Sequence, residues 1–400
     1  MNKASIRDVP AAELSGRRAL VRADLNVPLG AGQITDDTRI RETIPTLRLL
    51  RDAGARTIVL SHLGRPKGPD PSCSLHHTVD RLRELMSGPV RFHPGLVGAD
   101  AKAAVDALGK GEVLVLENTR FDPGETKNSP ELARSLADLA DVFVNDAFGS
   151  AHRAHASTTG VADEVRRRGG KAVAGLLMEK ELDFLGRLLR GPERPFVAIL
   201  GGAKMSGKVD VIRAMLPRVD RLLVGGAMAN TFFRAMGLGV GASLAEEDRV
   251  ELARELLRDA GPCLALPVDC VVADRIEDGI ATRVVPRDSV QPGDRIADIG
   301  PASRALFAKL LVDARTVLWN GPMGVFEKEV FREGTVAVAR AVASATDRGA
   351  LTVVGGGDSA AALEAVGMTD RISHVSTGGG TSLEFLAGED LPGVVALSDR

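Results

Sequence analysis

FVAILGGAKMSGK, residues 196–208, joins an apolar, partly β-branched run to a glycine-rich segment that carries two lysines. Such a run is typical of a buried strand, and the glycines let the backbone turn and approach a ligand closely. Seven other apolar runs lead into a glycine, asparagine, aspartate or histidine and are followed by a helix-like stretch. They are RALVRADLN (18–26), RTIVLSHLG (56–64), EVLVLEN (112–118), DVFVNDAF (141–148), RLLVGGA (221–227), TVLWNGP (316–322) and LTVVGGG (351–357). This alternation predicts parallel sheets that are covered by helices on both faces.

The 400 residues exceed the length at which one hydrophobic core stops growing, about 250–300 residues, so we expect two domains. Between the two series of runs lies KAVAGLLMEKELDFLGRLLRGPERP (171–195), where apolar residues recur at helical spacing from Ala174 to Leu189. We interpret residues 176–190 as a connecting helix at the domain boundary, ended by the Gly-Pro pair at 191 and 192. ATRVVPRDSV (281–290) predicts a small hairpin or an edge strand.

The composition excludes several classes of partner. Lys and Arg number 51 against 53 Asp and Glu, and aromatic residues make up 3% of the chain, so neither the overall charge nor a base-stacking surface predicts nucleic-acid binding. No apolar segment approaches the ~20 residues that span a bilayer, and the N-terminus has no signal-like apolar core. Three cysteines without paired spacing indicate neither a disulfide framework nor a zinc site. We therefore expect an unprocessed protein of the reducing cytoplasm.

The first half carries side chains that suit an acidic ligand. Arg39, Arg65, Arg120 and Arg153 come from four separate segments, and guanidinium groups bind carboxylates and phosphates well. Each arginine alone could equally form a solvated surface ion pair, and His62 could be satisfied by backbone groups. Their position at strand ends favours a common site. A carboxylate such as Asp24 among these arginines either pairs with them or accepts a hydroxyl group from the ligand, and the second alternative indicates a phosphorylated hydroxy acid.

The second half carries glycine-rich loops instead. GGAKMSGK resembles a P-loop, but Val209 stands where a magnesium-binding Ser or Thr is needed, so we treat Lys208 as a phosphate-binding candidate by itself. LTVVGGGDSA fits the dinucleotide pattern through Gly355, Gly357 and Ala360, which leaves a dehydrogenase as a rival function. The acidic residue expected about 20 residues later is missing from HVSTGGGTS, so Asp358 is the better candidate for a magnesium ligand. In that loop, Thr381 or Ser382 could cap a helix that faces an anion.

Several long strings together resemble phosphoglycerate kinases: SHLGRP, FVNDAFGSAHRAHAST, LGGAK, WNGPMGVFE and STGGGTSLE. The resemblance runs from RADLN to LPGVVALS and covers essentially the whole chain. It implies an α/β fold of two doubly wound parallel-sheet lobes joined by a connecting helix and hinge. One lobe, residues 1–175 with a returning tail 388–400, would bind 3-phosphoglycerate, and the other, residues 191–387, would bind the nucleotide.

The resemblance also implies roles for individual residues. The 3-phosphoglycerate site would be formed by Asp24, Leu25, Asn26, Arg39, His62, Leu63, Gly64, Arg65, Arg120 and Arg153. The nucleotide site would be formed by Lys208, Gly300, Glu327, Gly356, Gly357, Asp358 and Ser359, with Mg²⁺ on Asp358 and an adenine slot at Gly225 and Gly226. Catalysis would fall to Arg39, Lys208, Gly378, Gly379 and Gly380. The chain departs from the usual family pattern at Ala23, Leu25, Gly207 and Ala227, and none of these changes removes a charge assigned to catalysis.

The function that these residues imply is reversible phosphoryl transfer between ATP and the carboxylate of 3-phosphoglycerate, which gives 1,3-bisphosphoglycerate and ADP in glycolysis and gluconeogenesis. The alternative is a catalytically idle homologue that binds the same ligands. We expect a cytoplasmic, monomeric transferase that closes around a hinge, with small molecules as its partners.

Overall fold

The computed structural model describes residues 2–400, which form two compact units. The N-terminal unit consists of the chain up to Asp183 together with the C-terminal tail, Asp390–Arg400. The C-terminal unit is Phe184–Glu389. The strands of the N-terminal unit are β1 Arg18–Ala23, β2 Leu29–Gly30, β3 Gln33–Ile34, β4 Arg56–Leu60, β5 Val90–His93, β6 Val113–Leu116, β7 Val142–Asp146 and β8 Lys171–Ala174. Its helices are α1 Ala11–Leu14, α2 Thr38–Asp52, α3 His76–Met86, α4 Ala99–Asp106, α5 Pro130–Ala137 and α6 Val161–Arg167.

Six of these strands form a wholly parallel sheet in the order β5-β6-β4-β1-β7-β8. The central strands are buried on both faces because helices cover the sheet on each side, as their continuous apolar sequences require. The chain moves from β1 to β4 in one direction and later returns to β7 on the other side of β1. Such a reversal creates a crevice at the carboxyl ends of the strands.

Helix α7, Leu176–Arg190, starts in the N-terminal unit and contains the unit boundary. The strands that follow are β9 Phe196–Leu200, β10 Arg221–Val224, β11 Leu264–Ala265, β12 Asp269–Ala273, β13 Arg283–Pro286, β14 Arg295–Ile299, β15 Thr316–Asn320, β16 Leu351–Gly355 and β17 His374–Val375. The helices that follow are α8 Val209–Met215, α9 Met228–Ala235, α10 Val250–Ala260, α11 Pro301–Leu310, α12 Glu333–Asp347, α13 Gly357–Ala365, α14 Gly380–Ala387 and, in the tail, α15 Pro392–Val395.

The C-terminal unit repeats the architecture with a second parallel sheet, in the order β11-β10-β9-β15-β16-β17. The direction in which successive strands are added reverses between β9 and β15. The hydrophobic core of this unit includes the buried Trp319. Strands β12, β13 and β14 form a separate antiparallel sheet, with β13 at its edge. The predicted fold of two doubly wound lobes is confirmed in both sheets, and so is the edge strand predicted within residues 281–290.

The C-terminal tail completes the N-terminal unit. Ser398 accepts a hydrogen bond from the amide of Ala4 and donates its own amide to Ala172, so the tail extends the contacts of β8. Lys3 Nζ lies 2.8 Å from the Asp399 carboxylate, and Asn145 Nδ2 donates to the Gly393 carbonyl at 3.0 Å. Residues near both ends of the described chain, such as Lys3 and Asp399, therefore belong to one folded body.

Candidate active site

Polar groups at the carboxyl ends of β1 and β4 join two loops of the N-terminal unit. Asp24 Oδ1 accepts a hydrogen bond from the Asn26 amide at 3.2 Å and lies 3.4 Å from Arg39 Nη1. Arg39 Nη1 also donates to the Asn26 carbonyl at 2.9 Å. Asn26 Oδ1 in turn accepts the Gly64 amide at 2.8 Å. Because Arg39 is held by the loop after β1, its charge faces the crevice at the sheet's reversal.

Arg65, Arg120 and Arg153 form the positive part of this region. Burial lowers the pKa of Arg120, and the charges of Arg22, Arg153 and Arg65 lower it further. Arg120 Nη1 donates to the Gly64 carbonyl at 2.6 Å, but its Nε is buried without a partner. Among residues 2–400, none of Arg65, Arg120 and Arg153 forms a side-chain ion pair. Several cations without an ion-pair partner provide a favourable site for a small anion.

His62 lies beneath these arginines and is 6% exposed. Burial, followed by the charges of Arg22, Arg120 and Arg39, lowers its pKa well below the usual 6.5. Arg22 Nη2 lies 3.0 Å from His62 Nδ1. No role was predicted for Arg22 from the sequence. A charged residue inside a buried strand is nevertheless a recognisable signal, because such a charge needs a partner.

Leu25, Leu63 and Gly64, which the resemblance assigns to the same site, use their backbone groups inside the protein. The Leu25 amide donates to Ser61 Oγ at 2.9 Å, and the Leu63 carbonyl accepts from Asn118 Nδ2 at 2.7 Å. Leu25 and Leu63 are also buried. In this structure the three residues hold the two loops in place around the arginines.

In the C-terminal unit, Lys208 lies at the reversal between β9 and β15. Its ammonium donates to the carbonyls of Gly201 at 2.5 Å and Asn320 at 3.0 Å, which follow or end those two strands. Burial lowers the pKa of Lys208 to about 8, and the charge of Asp358 opposes this shift. The closeness of the strands requires glycine at 201, because a Cβ there would lie 2.1 Å from the Pro322 carbonyl. Lys208 thus contributes a charged donor at the strand ends.

A cavity of about 340 Å³ opens at the same edge of the sheet. Gly202, Gly226, Met323, Glu327 and Asp358 are among its lining residues, and much of the remaining wall is apolar. Apolar walls with a few polar groups are typical of small-molecule sites. Ala227 also lines the cavity, in a helical conformation at φ −65° that accepts a methyl group without strain.

Gly225 and Gly300 lie behind the cavity wall. Gly225 donates its amide to Leu200, and a Cβ there would lie 2.5 Å from Met323 Sδ. Gly300 precedes α11, where Asp269 accepts hydrogen bonds from the Ala302 and Ser303 amides. A Cβ at Gly300 would meet the Asp269 carboxylate at 2.3 Å. Both glycines therefore permit close packing beneath the surface that a ligand would contact.

Two glycine-rich helix starts complete the region. Gly356, at φ +92°, precedes α13, whose first turn contains Gly357, the exposed Asp358 and the buried Ser359. Ser359 Oγ accepts the Gly321 amide at 2.7 Å. Gly379, at φ +56°, precedes α14, and the Gly378 amide donates to Ser376 Oγ at 3.2 Å. The prediction that Thr381 or Ser382 caps α14 was wrong, because the helix already starts at Gly380 and both residues are buried in its first turn.

The dinucleotide pattern at Gly355, Gly357 and Ala360 does occupy a strand–turn–helix unit, β16 to α13. The next strand, β17, leads into Ser376, which cannot accept a ribose hydroxyl as a carboxylate does.

The structure also shows Asp298, a residue of this unit that was not predicted from the sequence. This buried carboxylate accepts the amides of Ile299 and Gly334, and burial raises its pKa to about 7.

Within residues 2–400, no three His, Cys, Asp or Glu side chains converge in a way that could hold a metal ion. Asp358 is an exposed carboxylate at the cavity, which matches the usual way that Mg²⁺ binds through one or two carboxylates and substrate phosphates.

Among residues 2–400, no helix combines the length and the apolar character needed to cross a membrane.

Comparisons with known proteins agree along the whole chain. The family model for phosphoglycerate kinase matches residues 6–389. Curated phosphoglycerate kinases of Rubrobacter xylanophilus and Chloroflexus aurantiacus are 53% and 54% identical to the chain; each alignment covers all of this chain and 99% or more of the relative. The structure of phosphoglycerate kinase from Coxiella burnetii is 39% identical, with a TM-score of 0.88 and coverage of 98% of both chains.

Proposed function

The chain belongs to the phosphoglycerate kinase family, and from this premise we propose that its N-terminal unit binds 3-phosphoglycerate and its C-terminal unit binds ATP or ADP. The reaction of the family transfers a phosphoryl group between ATP and the carboxylate of 3-phosphoglycerate. None of the comparisons favours the catalytically idle alternative, since the relatives carry the enzyme's name over their full length.

The observation that carries the proposal is the cluster of Arg65, Arg120 and Arg153, which have no ion-pair partners among residues 2–400. We assign the phosphate of 3-phosphoglycerate to this cluster. Asp24 and Asn26 would hold the hydroxyl end of the ligand, and Arg39 would contact its carboxylate. His62 would face the phosphate together with the arginines. A carboxylate beside the Arg39 cation can approach a second anion more easily, because part of its charge is already compensated.

The nucleotide would occupy the cavity of the C-terminal unit. We assign the base to the apolar wall around Gly226 and the ribose hydroxyls to Glu327. The phosphates would lie against Lys208 and the amino end of α13, at Gly356, Gly357 and Ser359. Gly300 and Gly225 would act through the packing that shapes this wall.

Mg²⁺ would be held by Asp358, and when bound it would neutralise part of the charge on the nucleotide phosphates. The protein's own residues would contribute to catalysis by electrostatic stabilisation of the transition state. The acceptor carboxylate is ionised at neutral pH, since its ordinary pKa is about 4, so no general base is required. Arg39, Lys208 and the backbone around Gly378, Gly379 and Gly380 would stabilise the charge on the transferred group in the transition state.

Because the proposed donor and acceptor sites belong to different units, we propose that transfer requires hinge closure near α7. Closure would also exclude water, which strengthens each electrostatic contact. We further propose a cytoplasmic monomer. Free Cys73, Cys263 and Cys270 fit a reducing compartment, and the large exposed apolar side chains are scattered along the described sequence.

The test is direct synthesis of the acyl phosphate. Purified protein is mixed with ATP, Mg²⁺ and 3-phosphoglycerate, and the product is trapped with hydroxylamine as an acyl hydroxamate. We expect hydroxamate only when 3-phosphoglycerate is present. Binding of both ligands without hydroxamate would refute the enzymatic assignment and favour the idle homologue.

A further inference from the structure

Arg22 is a charged residue in the interior of a sheet, at 1% exposure. It lies on β1 and directs all three guanidinium nitrogens to fixed partners. Nε donates to Ser157 Oγ at 2.8 Å, and Nη1 donates to the Ala23 carbonyl at 2.5 Å. Nη2 lies 3.0 Å from His62 Nδ1. Two of these contacts fix the plane of the guanidinium, so the third presents an N–H group to the histidine at a defined angle.

The counter-charge of Arg22 is also buried. Glu125, at 0% exposure, accepts the Ser157 amide at 2.9 Å and the Ser157 hydroxyl at 2.6 Å. His155 Nδ1 lies 3.8 Å from the same carboxylate. Ser157 thereby bridges Arg22 and Glu125, while the Ala23 carbonyl holds the guanidinium at Nη1 independently of this bridge.

A guanidinium can only donate hydrogen bonds, so His62 Nδ1 must accept and must carry a lone pair. We propose that Arg22 is a positioning residue that fixes His62 as the neutral tautomer with its hydrogen on Nε2. The role extends the proposed function, since His62 then meets 3-phosphoglycerate as an uncharged hydrogen-bond donor. The positive charge of the site comes from the arginines alone.

The surroundings of His62 agree with a neutral ring. The groups that face it are Arg22 from β1, Arg39 from α2, Arg120 from the turn after β6, and His155 from the segment before α6. The arginine charges disfavour protonation of the imidazole, as a protonated His155 would, and burial disfavours it most. A histidine cation would also place an N–H group against the N–H of Arg22. Ligand binding should therefore require no proton uptake by His62.

The primary experiment is nuclear magnetic resonance of the full-length protein with ¹⁵N-labelled histidine, free of ligand, between about pH 5 and 8. His62→Gln identifies the resonance by its loss. We expect a protonated Nε2, an unprotonated Nδ1 and no titration across this range. A hydrogen on Nδ1, or titration near pH 6.5, would overturn the proposal. The result does not depend on turnover, so it is separate from a failure of the hydroxamate test.

Two variants test whether Arg22 causes the tautomer. Arg22→Met should let His62 populate both tautomers or titrate, and KM for 3-phosphoglycerate should then become severalfold pH-dependent. Ser157→Ala removes the bridge to Glu125 but keeps the donor to His62, so the Nε2–H tautomer should persist. If Arg22→Met does not fold because Glu125 is left unpaired, the double variant with Glu125→Gln removes both charges. An unchanged tautomer in whichever of the two Arg22 variants folds would refute the role of Arg22.

Discussion

Asp146 ends β7 at 0% exposure, and its replacement by asparagine should change how stability depends on pH. Its Oδ1 accepts the amides of Leu177 at 2.9 Å and Met178 at 3.2 Å, so it caps the first turn of α7. Burial raises the pKa of Asp146 from 3.8 to about 6, and hydrogen bonds from Thr46 and the two amides only partly oppose it. Asparagine keeps the Oδ1 acceptor and cannot ionise.

The size of the effect follows from the two pKa values. The unfolded chain releases the proton near 3.8, whereas the folded protein keeps it up to about 6. The stability that the protonated group contributes is complete below about pH 4 and is lost as the pH rises through about 6. At ~1.4 kcal/mol per pH unit, the loss is about 3 kcal/mol. The free energy of unfolding of Asp146→Asn, relative to wild type, should therefore rise by about 3 kcal/mol between pH 4 and pH 7.5.

Amide hydrogen exchange can follow each unit separately. Peptides from β1 and β4 report opening of the N-terminal unit, where Asp146 lies. Peptides from β15 and β16 report the C-terminal unit and provide the internal control. Asp298, with a pKa raised by burial to about 7, gives that unit a pH dependence that the substitution must leave unchanged. A pH-independent difference between variant and wild type would show that the Asp146 carboxylate ionises without penalty, which would refute the reasoning.

Four further substitutions have defined outcomes. Arg39→Ala should lower kcat about 100-fold while ATP affinity changes little, because it removes charge near the transferred group. Lys208→Ala should lower kcat and weaken ATP binding. The ATP affinity of the wild-type protein should decline above about pH 8, where Lys208 loses its proton when no ligand is bound. The variant should lack this decline. Asp358→Asn should raise the Mg²⁺ concentration for half-maximal activity by about tenfold. Gly201→Ala should destabilise the C-terminal unit by about 3 kcal/mol in urea, followed by fluorescence of the buried Trp319.

Each substitution has a matched control. Arg41→Ala removes an exposed arginine of α2 that pairs with Asp37, and Lys204→Ala removes an exposed lysine of the Gly201–Lys208 loop. Glu364→Gln removes an exposed carboxylate of α13. Gly207→Ala adds a methyl group that meets nothing within 4 Å. A control that matches the effect of its partner would refute the corresponding assignment.

The sequence predicted the central strands because parallel strands buried on both faces are continuous apolar runs. All eight predicted runs contain a strand: β1, β4, β6, β7, β9, β10, β15 and β16. The edge strands β5, β8, β11 and β17 were not predicted because, unlike the equally short β6 and β10, none of them contains three consecutive large apolar residues. The helical spacing of apolar residues was traced from Ala174, but Ala174 ends β8, and Gly175 separates this strand from α7 where Asp146 approaches closely.

The residues at the surface of the candidate site were named from the sequence, since arginines and glycine-rich loops have recognisable chemistry. The buried polar groups beneath these residues were not predicted from the sequence. Arg22, Ser157 and Glu125 are far apart along the chain, and only the folded sheet brings them together. Asp298 likewise contacts Gly334, 36 residues away. Buried polar networks depend on tertiary contacts that no local pattern records.

The return of the tail to the N-terminal unit sets an order of completion during synthesis. Residues 184–389 are continuous, so every strand of their sheet has left the ribosome before the tail does. The N-terminal unit is started first but cannot form the contacts of Ser398 and Asp399 until these residues have been made. Domains usually complete their folding in the order of synthesis, from the N-terminus onward. In this chain the C-terminal unit can therefore complete its fold first, and the N-terminal unit is completed when residues 390–400 emerge.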